Sequence, residues 1–370
     1  MIESQKWKHF LADWRLPVKN MKQPRAGSKL ALLAFLLVVH SRHAATQVQE
    51  KAHEKTDQQP PTLRTQTNVV LVPALVKDAT GKVIFGLQTT DFVIEDNGVE
   101  QQLSMDEAEP QEAVSLVVAI QTGRSAVYEF NRMKGLATLL DQIAGQPQVE
   151  TAIVTFDSEV NLLQDFTFDS QQTEVNLKKL KNGDEHGAAI YDAVRYSVNL
   201  LGKRPEDSRR VLLLISETRD HGSHAVKLDD AIAAISDSNA VVYTLAFSPT
   251  ASTAMDTLRG EWDERTDPAG PNLDILRLMK MTRQAMRKNA ARSMASMTGG
   301  EYELFTSRKS FEKFMTEFTN HLHSRYLLRF QPKDPKPGLH QVRLRIRRKG
   351  HYVILARSTY WVAEPGTTGH

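Results

Sequence analysis

Residues 114–120 read VSLVVAI, and three more runs of the same kind follow: TAIVTF at 151–156, VLLLI at 211–215 and AVVYTLAF at 240–247. Each is short and apolar at consecutive rather than alternate positions. A strand of that kind offers no face to water, so it must be covered on both sides. Between the runs the period changes to that of a helix. Residues 187–201 (GAAIYDAVRYSVNLL) put Ile190, Val194, Val198 and Leu201 on one stripe, and residues 227–235 do the same with Leu228, Ile232 and Ile235. This alternation predicts an α/β fold over residues 113–324: a doubly wound, mostly parallel, Rossmann-like sheet with helices on either side. Residues 250–290 break the order with Pro268, Gly270 and Pro271 and then a basic, Met-rich helical stretch, and read as an insertion.

Outward from this core the text becomes purely β. Residues 67–112 carry VVLVPALV, VIFGL, DFVIE and VEQQLSM, separated by turn chemistry. The Asp96-Asn97-Gly98 step between two such runs is a hairpin signal, because Asn and Gly accept the positive φ of a type I′ turn. Residues 325–362 return to strand pattern. In QVRLRIRRK, Val342, Leu344 and Ile346 alternate with Arg343, Arg345 and Arg347, which makes one face apolar and the other cationic. Neither flank is large enough to be stable alone, so the two are expected to pair into one accessory β domain with the α/β domain inserted between them. The arginine face reads as an exposed strand face whose charges guard a sheet edge. Interleaved aromatics for base stacking are missing, so no nucleic-acid partner is expected.

The chain has 370 residues, 41% of them apolar and 25% charged, which supports a large core and more than one domain. It has no cysteine, so disulfides, thiolate metal sites and a cysteine nucleophile are excluded. The small net charge of +3 hides an uneven distribution. Basic residues dominate 1–45, where only Glu3 and Asp13 oppose them, and 325–362, where Asp334 stands alone; the body between is acidic. Lys19, Lys22, Arg25 and Lys29 precede the unbroken apolar run LALLAFLLVV at 30–39, the layout of an export signal. Ten apolar residues rise about 15 Å, half of the roughly 30 Å of bilayer hydrocarbon. Residues 1–45 are therefore expected to act as an export signal or N-terminal membrane anchor, and 46–66, polar with Pro60 and Pro61, as a linker. Residues 363–370 are a tail. The rest is expected outside the cytoplasmic membrane, periplasmic, secreted or held on its outer face, with membrane contact only through the N-terminal segment.

At the strand ends the sequence resembles a family. It is similar to von Willebrand factor type A domains, in particular the VWFA-related envelope proteins of Acidobacteria. The resemblance runs from Asn68 to Trp361 and rests on VVLVPALVKDATGKVIFGLQTTDFVIEDNG, FDSEVNLLQDFT, GAAIYDAV, ASMTGGEYELF, SRYLLRFQP and YVILARSTYW. It implies a metal-ion-dependent adhesion site: an Asp-x-Ser-x-Ser loop, a Thr from a second loop and an Asp from a third, offering oxygens to a hard divalent cation. Carried over position by position, the first Asp is Gln121, the first Ser is Gly123, and the second Ser survives as Ser125. The Thr is Ala188 and the third-loop Asp is Glu217. Gly123 and Ala188 have no side-chain oxygen, and Gln121 offers only a neutral carbonyl. A unit charge pair at 4 Å in an effective dielectric of 20 is worth about 4 kcal/mol, so losing the charge at Gln121 costs nearly three decades of affinity.

The expectation is a degenerate adhesion site without cofactor: a non-enzymatic, protein-binding module whose strand-end loops, around Gln121, Gly123, Ser125, Ala188, Glu217 and Asp220, meet a protein partner. The alternative is a metal-dependent adhesion module holding Mg²⁺ or Mn²⁺ through Ser125 and Glu217, with Asp220 in support. A hydrolase using Ser125 or Asp220 is the third reading. It lacks a G-x-S-x-G elbow, and no phosphate-binding glycine motif occurs. Asp220, His221 and His224 read as a solvated loop rather than a metal cluster. Asp192 reads as a first-turn helix residue, His321 and His323 as pointing different ways, and Met281, Met286, Met294 and Met297 as core on a helix with a solvated basic face.

Overall fold

The computed structural model describes residues 69–106, 113–123, 126, 129, 133, 135–146, 148–180, 183, 187–247, 275–333 and 335–364. Ser125, the N-terminal apolar run and all of 250–274 lie outside them. The described residues fall in one compact unit, 64–370.

The apolar runs form the six-stranded central sheet. Its strands are β5 (Val114–Gln121), β6 (Val149–Phe156), β7 (Val160–Thr167), β8 (Arg209–Glu217), β9 (Val241–Phe247) and β10 (Tyr302–Leu304), in the order β10-β9-β8-β5-β6-β7. All neighbours are parallel except β6 and β7, which are antiparallel. Every residue of β5 is buried. Alternate side chains explain why the run could not afford a polar face: Val117, Ala119, Leu212, Leu214 and Val242 join one apolar cluster, Leu116, Val118, Ile120, Leu213 and Ile215 the other. Against the first face pack α3 (Ile190–Gly202), α4 (Leu228–Asp237), α5 (Ile275–Lys288) and α6 (Ala290–Thr298); against the second pack α1 (Leu136–Ala144) and α7 (Arg308–His321), with α2 (Ser170–Lys178) reaching it through Leu177.

Two sequence readings change here. The insertion assigned to 250–290 includes α5, yet Leu278, Met279 and Met286 are buried in the core of the first face. Residues 275–290 belong to the crossover between β9 and β10 because Leu278, Met279 and Met286 pack into the core, while Arg277, Lys280, Arg287 and Lys288 are exposed and Met281 is half-buried. Met294 and Met297 are buried likewise on α6.

The flanks build two further four-stranded sheets. The first has the order β13 (Tyr352–Ala356), β1 (Val70–Asp78), β11 (Tyr326–Phe330) and β4 (Leu103–Met105). The second has β14 (Thr359–Val362), β12 (Gly338–Ile346), β2 (Phe92–Asp96) and β3 (Val99–Gln101). Both interleave strands from before and after the α/β region, and they share one apolar cluster that includes Val72, Phe92, Ile94, Leu328, Leu344 and Tyr360. The β2–β3 hairpin turns on Asn97 and Gly98, with φ of 48° and 82°, as the type I′ geometry demands. The second change concerns the arginines, which do not face solvent alone. β12 pairs with β14 over residues 338–341 and with β2 over residues 342–346, so the arginine half has its ladder partner on the β2 side. Its arginines meet acids of the neighbouring segments: Arg345 pairs with Glu95, Arg347 with Glu100 at 2.7 Å, and Arg348 with Asp91 at 2.6 Å. Arg357, 2% exposed, ties the flanks to the α/β layer by donating to the carbonyls of Ser236 and Ser238 at the end of α4.

Candidate functional site

In a doubly wound sheet the ligand crevice opens at the carboxyl ends of the strands, where the strand order reverses. Here that point lies between β5 and β8, which are neighbours in the sheet although α1, β6, β7, α2 and α3 intervene in the chain. Gln121 ends β5 and Glu217 ends β8, and the structure brings them together.

Gln121 is 0% exposed and its amide bridges the two strands. Its Nε2 donates to Glu217 Oε1 at 2.9 Å, and its Oε1 accepts from the Glu217 main-chain N–H at 2.9 Å. The side chain thus continues the ladder by one step where the main chains part. Glu217 is 6% exposed. Its second oxygen, Oε2, lies 2.9 Å from His221 Nε2. A carboxylate only accepts, so the imidazole donates, and this hydrogen bond to Glu217 raises the His221 pKa above its ordinary value of 6.5. The result is a line of amide, carboxylate and imidazole in which both carboxylate oxygens are occupied. His221 was read from the sequence as part of a solvated loop. Its four-residue spacing from Glu217, on a strand end and the turn after it, was the available signal.

Around this line the loops lock one another. His221 N–H donates to the Ala188 carbonyl, and Ala188 is fully buried. Thr122 N–H donates to the Phe156 carbonyl and Thr122 O accepts from Gly183, which joins the β5, β6 and 183–189 loops. Gly123 is buried beside them and its carbonyl accepts from Ala126. Gly222 packs so closely on the start of α3 that a Cβ there would lie 2.9 Å from Ala188 N, a contact only glycine allows.

Asp220 caps α3 from outside the helix. Its Oδ1 accepts from Tyr191 N–H at 3.1 Å and from Ser223 Oγ at 2.5 Å. Ser223 Oγ also accepts from Asp192 N–H at 3.2 Å, so two of the unpaired first-turn donors of the helix are satisfied by the β8–α4 loop. Asp192 returns the favour to that loop. Buried in the first turn of α3, it accepts from the N–H groups of His224, Ala225 and Val226 at 3.1, 3.2 and 2.7 Å. It is a loop clamp, a role that helix position alone did not reveal. Burial, and then the Asp220 charge, push the Tyr191 phenol up to about 12, so it does not trade protons near neutrality.

Of the six residues singled out from the sequence, five are described and line these loops; Ser125 lies outside the described residues. Among the described residues no three His, Asp or Glu side chains converge in a way that could hold a metal ion. His321 and His323 do point apart, to Glu301 and to Gln146.

No protein-family model and no curated protein matches the chain. Solved structures do. The conserved hypothetical protein BatB from Bacteroides thetaiotaomicron is similar at 15% identity over 57% of this chain and 99% of that chain, with a TM-score of 0.39. The vWF domain of the type V pili tip protein Mfa5 from Porphyromonas gingivalis is similar at 18% identity over 32% of this chain and 43% of that one, TM-score 0.28. Proximal thread matrix protein 1 from the mussel byssus, solved with a zinc-occupied MIDAS motif, is similar at 10% identity over 62% and 50%, TM-score 0.40. This chain spans half or less of the last two.

Proposed function

We propose that this chain is a von Willebrand factor type A module, exported through its N-terminal segment, whose strand-end loops dock on another protein without a bound metal. The observation that carries this reading is the state of Glu217. Its Oε1 accepts from the Gln121 amide and its Oε2 from His221, so a cation would have to displace an amide and an imidazole to reach the carboxylate. A hard divalent ion asks for several oxygens in near-octahedral array. The described residues do not fit that demand: Gln121 is neutral and already bridged, Ala188 and Gly123 contribute no side-chain oxygen, and Asp220 is committed to Tyr191 N–H and Ser223.

The same geometry supports a binding role over a catalytic one. Ser223 donates to the Asp220 carboxylate rather than to an imidazole, so no base activates it. What the loops offer is a pre-formed surface, held from behind by Asp192 and Gly222, with His221, His224 and Arg219 exposed. A rigid rim of that kind binds with little ordering cost.

Titration calorimetry of the full chain with MgCl₂ and MnCl₂ tests the metal-free reading, and no saturable heat is expected. Binding at micromolar Kd that is lost in Glu217→Ala overturns it in favour of the metal-dependent module. Site-specific crosslinking from His224 in intact envelopes tests the docking role. A discrete adduct that persists in chelator is expected. An adduct seen only with divalent cation, or none at all, contradicts the proposal.

A further inference from the structure

The face of α5 that turns away from the core is cationic. At 3.6 residues per turn Leu276, Arg277, Lys280, Gln284, Arg287 and Lys288 fall within one arc of about 120°, and all six are exposed. Leu276, at the head of the arc, is 76% exposed. Arg277, Lys280, Arg287 and Lys288 have no side-chain ion pair or hydrogen bond among the described residues, and no acid stands on the arc. Arg283, just off the arc, is paired instead with Asp229 of α4 at 2.5 Å.

Exposed helix faces elsewhere in the chain are built differently. α2 pairs Lys178 with Glu174, and α7 pairs Arg308 with Glu312 and Lys313 with Glu317, each four residues apart. On α5 such spacings set cation against cation, with Arg277 three residues before Lys280 and Arg283 four before Arg287, and like charges so placed weaken a helix. The macrodipole suits Arg287 and Lys288 in the last turn but opposes Arg277 in the first. The helix's own stability therefore does not account for the stripe. Its C-terminal end is tied to the loop that follows Glu217: Arg219 Nε donates to the Lys288 carbonyl at 3.1 Å, and Ala291 N–H to the Thr218 carbonyl at 3.4 Å. Arg219 is itself exposed, so the cationic surface continues from the strand-end rim onto α5.

We propose that this stripe is the charge-reading part of the docking surface, and that the protein partner lays an acidic segment, rich in Asp and Glu, along α5 from Arg219 to Arg277. The inference rests on the docking role proposed above for the strand-end loops. Arg277 and Lys288 stand ~16 Å apart along the helix, the span of about five residues of extended partner chain. Stacking of nucleic-acid bases needs aromatic side chains, and the arc has none. A helix that lies on a membrane turns its apolar stripe to the lipid, whereas the apolar stripe of α5 is buried in the core.

The probe is a fluorescein-labelled peptide of about eight alternating Glu and Ser residues, ~26 Å when extended, titrated with the full chain by anisotropy at low salt and at about 0.15 M salt. Saturable binding is expected, weaker at the higher salt and absent for the counterpart with Gln in place of Glu. Combined Arg277→Glu, Lys280→Glu, Arg287→Glu and Lys288→Glu is expected to weaken it about tenfold or more. Combined Lys82→Glu, Lys179→Glu, Lys309→Glu and Lys349→Glu, an equal change of net charge at exposed positions elsewhere, is expected to weaken it less than about threefold. Should the fourfold stripe variant fail to fold, Arg277→Glu with Lys280→Glu, which suits the dipole at the helix start, decides the matter, with a loss of about threefold expected. No saturable binding, equal losses in the two fourfold variants, or loss of phosphatidylglycerol-vesicle binding without loss of peptide binding overturns the proposal, the last in favour of a membrane surface. In intact envelopes the crosslinked adduct from His224 is expected to disappear in the stripe variant. An adduct that persists there overturns this proposal and leaves the docking role standing; no adduct in the parent overturns both.

Discussion

The two ends of the central sheet treat charge in opposite ways. At the carboxyl end Glu217 is matched on both oxygens, and Asp192 and Asp220 are consumed by N–H groups of neighbouring loops. At the amino end, Arg325 and Arg210 keep buried donors without a partner among the described residues. The difference shows that a fold's usual ligand end can be the one whose acids are matched within the chain. Here the Gln121 amide and the His221 imidazole each hold one oxygen of Glu217, so the carboxyl end is internally closed.

The largest effect should come from breaking a matched site near the unmatched one. Glu301 is partly buried just before β10 and receives Lys77 from β1 at 2.6 Å and His321 from α7 at 2.8 Å. Burial pushes its carboxyl up, but the hydrogen bonds from His321 and Lys77 outweigh burial and hold it below its ordinary value of 4.5. A lowered folded pKa contributes stability that is present above 4.5 and lost as pH falls through the folded value. Glu301→Gln leaves Lys77 and His321 facing a neutral amide and should cost about 3–5 kcal/mol by urea denaturation at pH 7. The deficit relative to the parent should shrink below pH 4. A cost under 1 kcal/mol would mean that matched pairs do not govern this end.

Next in size is the clamp. Asp192→Ala frees the three N–H groups at 224–226, which can recover water because the loop is exposed, so the loss should be about 2–3 kcal/mol. Hydrogen exchange should quicken at Val226 and the neighbouring amides. Unchanged exchange there would show that Gly222 packing alone holds the loop.

Much of this architecture was legible. The consecutive apolar runs became strands of the central sheet because a both-sided strand has nowhere else to go, and Asn97-Gly98 became the hairpin because few other pairs accept φ of 48° and 82°. Helix period placed α3, although it begins at Ile190 rather than Gly187, since Ala189 N–H is drawn to the Asp157 carbonyl. What could not be read was pairing at a distance. The alternation in β12 defines its two faces but not its neighbours, so its pairing with β14 and β2 and the acids opposite Arg345 and Arg347 were hidden. The period of α5 defines an apolar stripe but not the sheet that buries it. At the site the carry-over from the family identified Gln121 and Glu217, while the Gln121 bridge and the His221 contact are three-dimensional facts.

Placing a carboxylate at position 121 sharpens the contrast between the ends. Gln121→Asp sets a second carboxylate near Glu217 and removes both amide hydrogen bonds, for a loss of about 2 kcal/mol at pH 7. Two carboxylates sharing a site raise a folded pKa. The loss should therefore shrink as pH falls and one of them takes a proton, the reverse of the usual acid response. Equal stability at pH 7 would show that the amide bridge is not what closes this end.

The smallest effect is the most direct reading of that closure. The Glu217 hydrogen bond raises the folded His221 pKa above 6.5. A raised histidine contributes stability fully present below 6.5 and lost as pH rises through the folded value. The ring is nearly half exposed, so solvent screening keeps this contribution minor. Titration of the His221 ring protons by NMR should give a pKa above the ordinary value in the parent and a return toward 6.5 in Glu217→Gln. A parent value at or below 6.5 would mean that the imidazolium is not the cation that occupies Glu217, and the case for a closed carboxyl end would then rest on the Gln121 amide alone.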